Sequence, residues 1–214
     1  MEKQLVDNSV TGIVRLGTTI ALGTKLMPLL AKSIESQNAG CKIKVNIANA
    51  KTIESMLLSN SIDLGFIEGP VFNADLKSKF LAEDFIVPIA PPNTTNTNMT
   101  LQDFAKYPLL FRQNGSITRS ITESVFLKND ITPNPLWESE SSQAIINAVH
   151  EGIGVSVLPQ FLVSTALNVG AVKEIKITNA VFKRKSHIVW HKDKYISPFL
   201  SSIMESATDI TLCS

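Results

Sequence analysis

The residues able to do covalent or metal chemistry are few in this chain, and they are scattered. Its histidines are His150, His187 and His191. The last two are an even number of residues apart on a strand-like run and share a face, but no carboxylate or thiol nearby completes a zinc set, so no metal is expected. Asp63 and Glu68 stand five apart in another strand-like run and point to opposite faces, which disqualifies them as an acid–base pair. Gly152-Ile153-Gly154 is only part of a dinucleotide fingerprint, and it lies between a helix end and a strand, the wrong context for one. There is no GxSxG, HExxH or Walker A loop. Cys41 and Cys213 lie at opposite ends of the chain without a CxxC partner and read as two reduced thiols. The expectation is a protein that is not an enzyme and carries no cofactor.

Binding chemistry is better represented. Thr18-Thr19, Asn49, Glu68-Gly69, Gly115-Ser116 and Ser139 to Ser142 are small or polar, each follows a strand-like run, and all but Glu68-Gly69 precede a helix-like one. In an open α/β sheet those are the carboxyl ends of strands, where ligands bind against helix N-termini. Unpaired N–H groups and the positive helix end there favour a carboxylate or another small anion. The ligand-binding candidates are therefore Thr18, Thr19, Asn49, Glu68, Gly69, Gly115, Ser116, Ser139 and Ser141. Arg112 and Arg119 flank the Gly115-Ser116 turn; Arg112 is a candidate anion contact, whereas Arg119 reads as a solvated arginine.

The elements that must position these groups follow from periodicity. Residues 13–17 form a strand, and Leu22, Leu26, Leu30 and Ile34 then recur at helical spacing. Pro28 should kink this helix or mark where it restarts. Residues 42–47 alternate as a strand, Asn49 precedes a short amphipathic helix, and residues 62–67 read as a buried inner strand. A strand over 80–88 leads into a polar loop, 91–100. The second series comprises strands over 109–111, 136–139, 155–158 and 172–177. Helices open at Gly115-Ser116, at Ser141 or Ser142, and at Pro159. A strand over 186–191 and a helix from Ser197-Pro198 finish the chain. Alternating strands and helices predict an α/β fold of two lobes. The last strand and helix complete the first lobe, so the chain crosses twice, and a cleft between the lobes is the natural ligand site. The expected division is 1–11 as a linker remnant, 12–89 with 182–210 as the first lobe, 90–181 as the second, and 211–214 as a tail.

Composition agrees with a globular protein. The chain has 214 residues, 44% hydrophobic and 18% charged, and 20 Lys+Arg against 19 Asp+Glu leave a formal charge of +1. That balance argues against a dedicated nucleic-acid surface. The N-terminus has neither a basic segment nor an apolar one to make a signal peptide, and no apolar run approaches the roughly 20 residues of a membrane helix. A cytoplasmic protein without membrane contact is expected.

Read in order, IVRLGTT, LMPLLAKS, IDLGFIEGP, LAEDFIVPIAPP, LQDFAKYPLLFRQNGSITRS, AIINAVHEGIGVSVLPQFLV and IVWHKDKYISP resemble the effector-binding domain of LysR-type transcriptional regulators. The most specific stretches are Asp63-Leu64 with Glu68-Gly69-Pro70, Gly115-Ser116 with Thr118-Arg119, Val149 to Pro159, and His191 to Pro198. The resemblance spans about Gly12 to Ala207. It implies a two-lobed, type 2 periplasmic-binding-protein-like fold, with a mixed sheet flanked by helices in each lobe and a small effector held in the interlobe cleft. It places effector contacts at the Thr18-Thr19 loop, near Asn49, at the Gly115-Ser116 turn and near Ser139 to Ser141. It further implies a homodimer, tetrameric in the full-length protein, and DNA contact only through an N-terminal winged helix-turn-helix. About eleven residues precede the first strand here, too few for that element, so the chain reads as an excised regulatory domain. Dimers in the family use the first-lobe helix near Leu26, although the Leu22–Ile34 stripe is explained equally well as core. Peroxide-sensing relatives use a second-lobe cysteine pair, which this chain lacks. Two rivals share the architecture: a transport-type solute-binding protein, and an enzyme such as a short phosphoribosyltransferase or a tetrapyrrole-forming deaminase. The first should carry a signal peptide or lipobox cysteine, and the second a phosphate loop or an interlobe cysteine.

Overall fold

Residues 12–212 are described by a computed structural model. The expected linker remnant and Cys213 lie outside the described residues. The chain divides into two units, one assembled from residues before and including Ala82 and from Ser186 onward, the other the continuous segment Glu83–Lys185.

In the first unit β1 (Gly12–Thr18) leads through α1 (Ile20–Gln37) to β2 (Cys41–Ile47), then through α2 (Ala50–Leu58) to β3 (Leu64–Glu68). β4 (Leu76–Ala90) then runs from the first unit into the second. The second unit continues with β5 (Asn98–Met99), α3 (Leu101–Phe104), β6 (Leu109–Arg112), α4 (Ile117–Lys128), β7 (Pro135–Ser139), α5 (Ser142–His150) and β8 (Ser156–Pro159). It ends with α6 (Gln160–Asn168), β9 (Lys173–Glu174) and β10 (Lys176–Ile177). β11 (Lys183–His191) brings the chain back, and α7 (Pro198–Leu212) closes the first unit.

The first unit's sheet has the order β2-β1-β3-β11-β4. β1 is parallel to both β2 and β3, with Thr18 opposite Ile47 on one side and Phe66 on the other, and β11 runs antiparallel to β3. Every residue of β3 is buried, as an inner strand requires. The four-residue stripe of α1 is buried as its spacing demands, and it packs with Leu200, Ile203, Met204 and Ala207 of α7 in one core. α1 continues through Pro28 as one helix rather than restarting there. Proline removes a bond to the preceding turn, but buried residues on both sides of it anchor the helix to the sheet.

In the second unit β4 pairs antiparallel with β8 and β9, β6 is parallel to β7, and β5 is parallel to β10. The expected strand over 172–177 is broken into β9 and β10 because Ile175 donates to the Pro88 carbonyl while Lys176 donates to that of Thr97. The polar loop 91–100 accordingly contains β5, the partner of β10. The Gly-x-Gly pair has a packing explanation. Gly152 takes φ +80° after α5, and a Cβ on Gly154 would collide with the Pro108 carbonyl oxygen, where β6 and β8 draw together.

Candidate functional site

Each unit holds its own set of nominated residues. In the first, Thr18 ends β1 and is fully buried, its carbonyl accepting from Ala48 N–H at 3.0 Å. Thr19 occupies the N-cap of α1, yet its side chain makes no cap bond. Its hydroxyl instead donates to Glu68 Oε2, while its own N–H bonds the Phe66 carbonyl at 3.1 Å. The two polar groups therefore meet across the ends of adjacent parallel strands, β1 and β3. Glu68 is 2% exposed. Carboxyl oxygens of this kind can accept from a ligand hydroxyl or amine. Asn49 is committed to capping: its Oδ1 accepts from Thr52 N–H at 2.9 Å and from the Thr52 hydroxyl at 3.1 Å. Gly69, with φ +90°, makes the turn that leads the chain away from β3.

Asp63, at the other end of that strand, serves structure. Arg15 reaches it at 2.9 Å and Lys194 at 2.6 Å. Burial pushes its carboxyl upward, but hydrogen bonds from Arg15 and Lys194 outweigh this and hold it at about 2.

In the second unit Arg112 and Ser139 are register partners at the ends of β6 and β7. The Arg112 guanidinium donates to the Ser139 carbonyl at 3.2 Å and to Ser142 Oγ at 2.9 Å, the latter in the first turn of α5. Arg112 is 6% exposed. A guanidinium presents its donors in one plane, a shape that matches a carboxylate or phosphate. Ser141 caps α5, accepting from Ala144 N–H at 3.2 Å, and Ser139 Oγ accepts from Ser141 N–H at 3.0 Å. Ser116 stands at the N-cap of α4 without a side-chain cap bond, after Gly115 at φ +84°. The structure thus brings Arg112, Ser139, Ser141 and Ser142 together. Ser116 lies at the neighbouring strand end, which Gln113 N–H ties to the Ser139 carbonyl at 3.0 Å.

Two groups were missed by sequence reasoning and one was misread. Ser142 falls in the polar Ser139 to Ser142 stretch but not among the ligand-binding candidates, and a residue in a first helical turn opposite an arginine is the signal that could have marked it. Gln113, between Arg112 and the turn, holds a shielded Oε1 without a hydrogen-bond partner among the described residues. Arg119 is not a solvated arginine: it is 8% exposed and bonded to Glu123 and Glu138, each at 2.7 Å. Thr118 and Arg119 in the first turn of α4 face inward, and both carboxylate partners are reached only through the fold or along the helix, so the local sequence hid the burial. Burial lowers its proton affinity, but the bonds to Glu138 and Glu123 outweigh that and raise it.

Two surface grooves of the second unit, of about 350 and 410 Å³, are lined by other residues and contain none of the nominated ones. Among the described residues no cluster of His, Cys, Asp and Glu is arranged to hold a metal, and no helix is long and apolar enough to cross a membrane.

A family model described as the LysR substrate binding domain matches residues 7–210. The chain is 25% identical over 196 residues to the HTH-type transcriptional regulator YeiE of Escherichia coli (strain K12), covering 91% of this chain and 67% of that protein. It is 29% identical over 189 residues to the HTH-type transcriptional activator CmpR of Synechocystis sp. (strain ATCC 27184 / PCC 6803 / Kazusa), covering 87% of this chain and 62% of the activator. The chain therefore spans about two thirds of the length of these relatives. Among solved structures it is similar to the effector binding domain of QuiR in complex with shikimate, with a TM-score of 0.81 at 21% identity, covering 94% of this chain and 97% of that one. It is also similar to the Synechocystis PCC6803 CcmR regulatory domain in complex with 2-PG, with a TM-score of 0.84 at 20% identity, covering 94% and 98%. The mixed α/β, periplasmic-binding-protein-like fold expected from the sequence is the fold of these domains.

Proposed function

Because the chain belongs to the LysR substrate-binding domain family, we propose that it reads a small anionic metabolite on behalf of a transcription regulator. The observation that carries this reading is Arg112, a buried guanidinium at the end of a parallel strand, braced on Ser139 and Ser142 at the start of α5. In this reading Arg112 takes the ligand's negative charge. Gly115, Ser116, Ser139 and Ser141 supply main-chain N–H groups and hydroxyls at the starts of α4 and α5. Thr18, Thr19, Asn49, Glu68 and Gly69 form the first unit's contribution, in which Glu68 accepts from a ligand donor. The relatives that the chain matches are transcriptional regulators, and the proposed role is binding without catalysis.

Binding acts by preferring one conformation of the protein, and it shifts the population only as far as its affinities for the conformations differ. The whole regulator is proposed to be a cytoplasmic homodimer, tetrameric at full length, that touches DNA through a part other than this chain. A thermal-shift screen tests the reading, using shikimate, 2-phosphoglycolate, other hydroxylated carboxylates, and inorganic phosphate and sulfate. A true effector at 100 times its dissociation constant should stabilise the fold by about 2.7 kcal/mol. Arg112→Ala should remove that shift. An equal shift in Arg112→Ala, or none from any anion, overturns the reading.

A further inference from the structure

Arg119 lies in the first turn of α4, and its guanidinium meets acceptors on three elements. These are Glu123 on α4 itself, Glu138 on β7, and the main-chain carbonyl of Arg112 on β6, at 2.7, 2.7 and 3.3 Å. Two carboxylates already outnumber the one cation, so charge balance alone does not explain the third bond. The third acceptor belongs to a particular peptide unit. Its carbonyl is that of Arg112 and its N–H is that of Gln113, which donates to the Ser139 carbonyl at 3.0 Å. That peptide is therefore held from both sides, by β7 through its N–H and by Arg119 through its carbonyl. Arg112 Nε donates to the same Ser139 carbonyl at 3.2 Å. Rotation of the peptide would disturb the oxygen on which the Arg112 side chain rests. β6 is only four residues long and ends at Arg112, so the bond from Gln113 N–H holds one side of this peptide and Arg119 the other.

We infer that Arg119 is a positioning residue: its guanidinium clamps the Arg112–Gln113 peptide so that Arg112 is presented at the start of α5. The significance of the clamp for binding rests on the reading of Arg112 as the anion contact. A lysine keeps the charge but lacks the planar fork that reaches carboxylate and carbonyl together. The clamp thus depends on shape as well as charge.

The test follows arginine Nε–H and backbone N–H signals by 15N-resolved NMR of the whole chain, without ligand. Arg119→Lys and Arg119→Met should speed water exchange at Arg112 Nε–H and Gln113 N–H by about tenfold, as loss of a supporting hydrogen bond implies. Arg184 Nε–H, which donates to Asp84 at 2.6 Å, should be unchanged. Glu138→Gln alters a half-exposed side chain and should give a smaller acceleration at the same two groups. It also answers the question if both Arg119 variants fail to fold. Unchanged exchange at Arg112 and Gln113 overturns the inference, as does an equal acceleration at Arg184, which would make Arg119 a general structural residue. Affinities of Arg112→Ala and Arg119→Lys for 2-phosphoglycolate and shikimate separate the two readings. If Arg112→Ala binds both as the parent does, the anion contact fails, while the clamp is judged by the exchange rates alone.

Discussion

Thr19 and Asp63 both sit at ends of parallel strands in the first unit, and their surroundings give them different work. The Thr19 hydroxyl is spent on Glu68 rather than on capping α1. Thr19→Ala should leave the fold intact while weakening effector binding about tenfold, the weight of one hydrogen bond. Calorimetry checks this, and unchanged affinity would remove Thr19 from the binding set. Asp63 is held at about 2, below its ordinary 3.8, by Arg15 and Lys194 against the opposing effect of burial. The folded state therefore binds this proton more weakly than the unfolded chain. The stabilisation is fully present above pH about 4 and is lost as pH falls towards about 2. Asp63→Asn should cost about 2 kcal/mol at neutral pH and flatten this acid dependence. Urea unfolding at neutral pH and near pH 3 measures both effects. The polar types of these residues were legible in the chain, but which side chain each one meets depends on strand register.

At the scale of elements, long amphipathic segments were readable and short strands were not. Four-residue spacing located α1, and Asn49 and the Ser141-Ser142 pair marked the starts of α2 and α5 because capping is local chemistry, with Ser141 the cap that the structure uses. β9 and β10 have two residues each and exist through hydrogen bonds to β4 and β5, far away in sequence, so no local pattern separates them. Gly154 is a further case: its need for glycine comes from Pro108, which approaches from another strand. Gly154→Ala should cost about 3 kcal/mol or more, because backbone must move to admit the new Cβ. Chemical denaturation measures it. β4 and β11 also share a buried charge pair, in which Arg184 donates to Asp84 at 2.6 and 2.7 Å beside the Phe161 ring. Asp84→Ala removes both of these bonds from a buried guanidinium and should cost about 3 kcal/mol.

The molecule as a whole divides unevenly along the chain. The second unit is the continuous Glu83–Lys185, with two apolar cores of its own. The first needs β11 to pair β3 and α7 to cover α1. A fragment of residues 83–185 should fold by itself, as followed by circular dichroism and a cooperative melt. A chain ending at residue 185 should lose the first unit's cooperative transition. An unfolded fragment, or an intact first transition in the truncated chain, contradicts this division.

The sequence by itself determined the alternation of strands and helices, the near-neutral charge and the polar strand ends, because periodicity, composition and capping are properties of neighbours in the chain. Motif order within it pointed to the family that the whole-chain comparison identifies. Only the tertiary structure decided that Arg119 is buried and bonded to the Arg112 carbonyl, that Ser142 braces Arg112, and that Glu68 receives the Thr19 hydroxyl. Those relations join residues on different elements, and the pairing of strands sets their distances. No side-chain type or local spacing encodes such a distance.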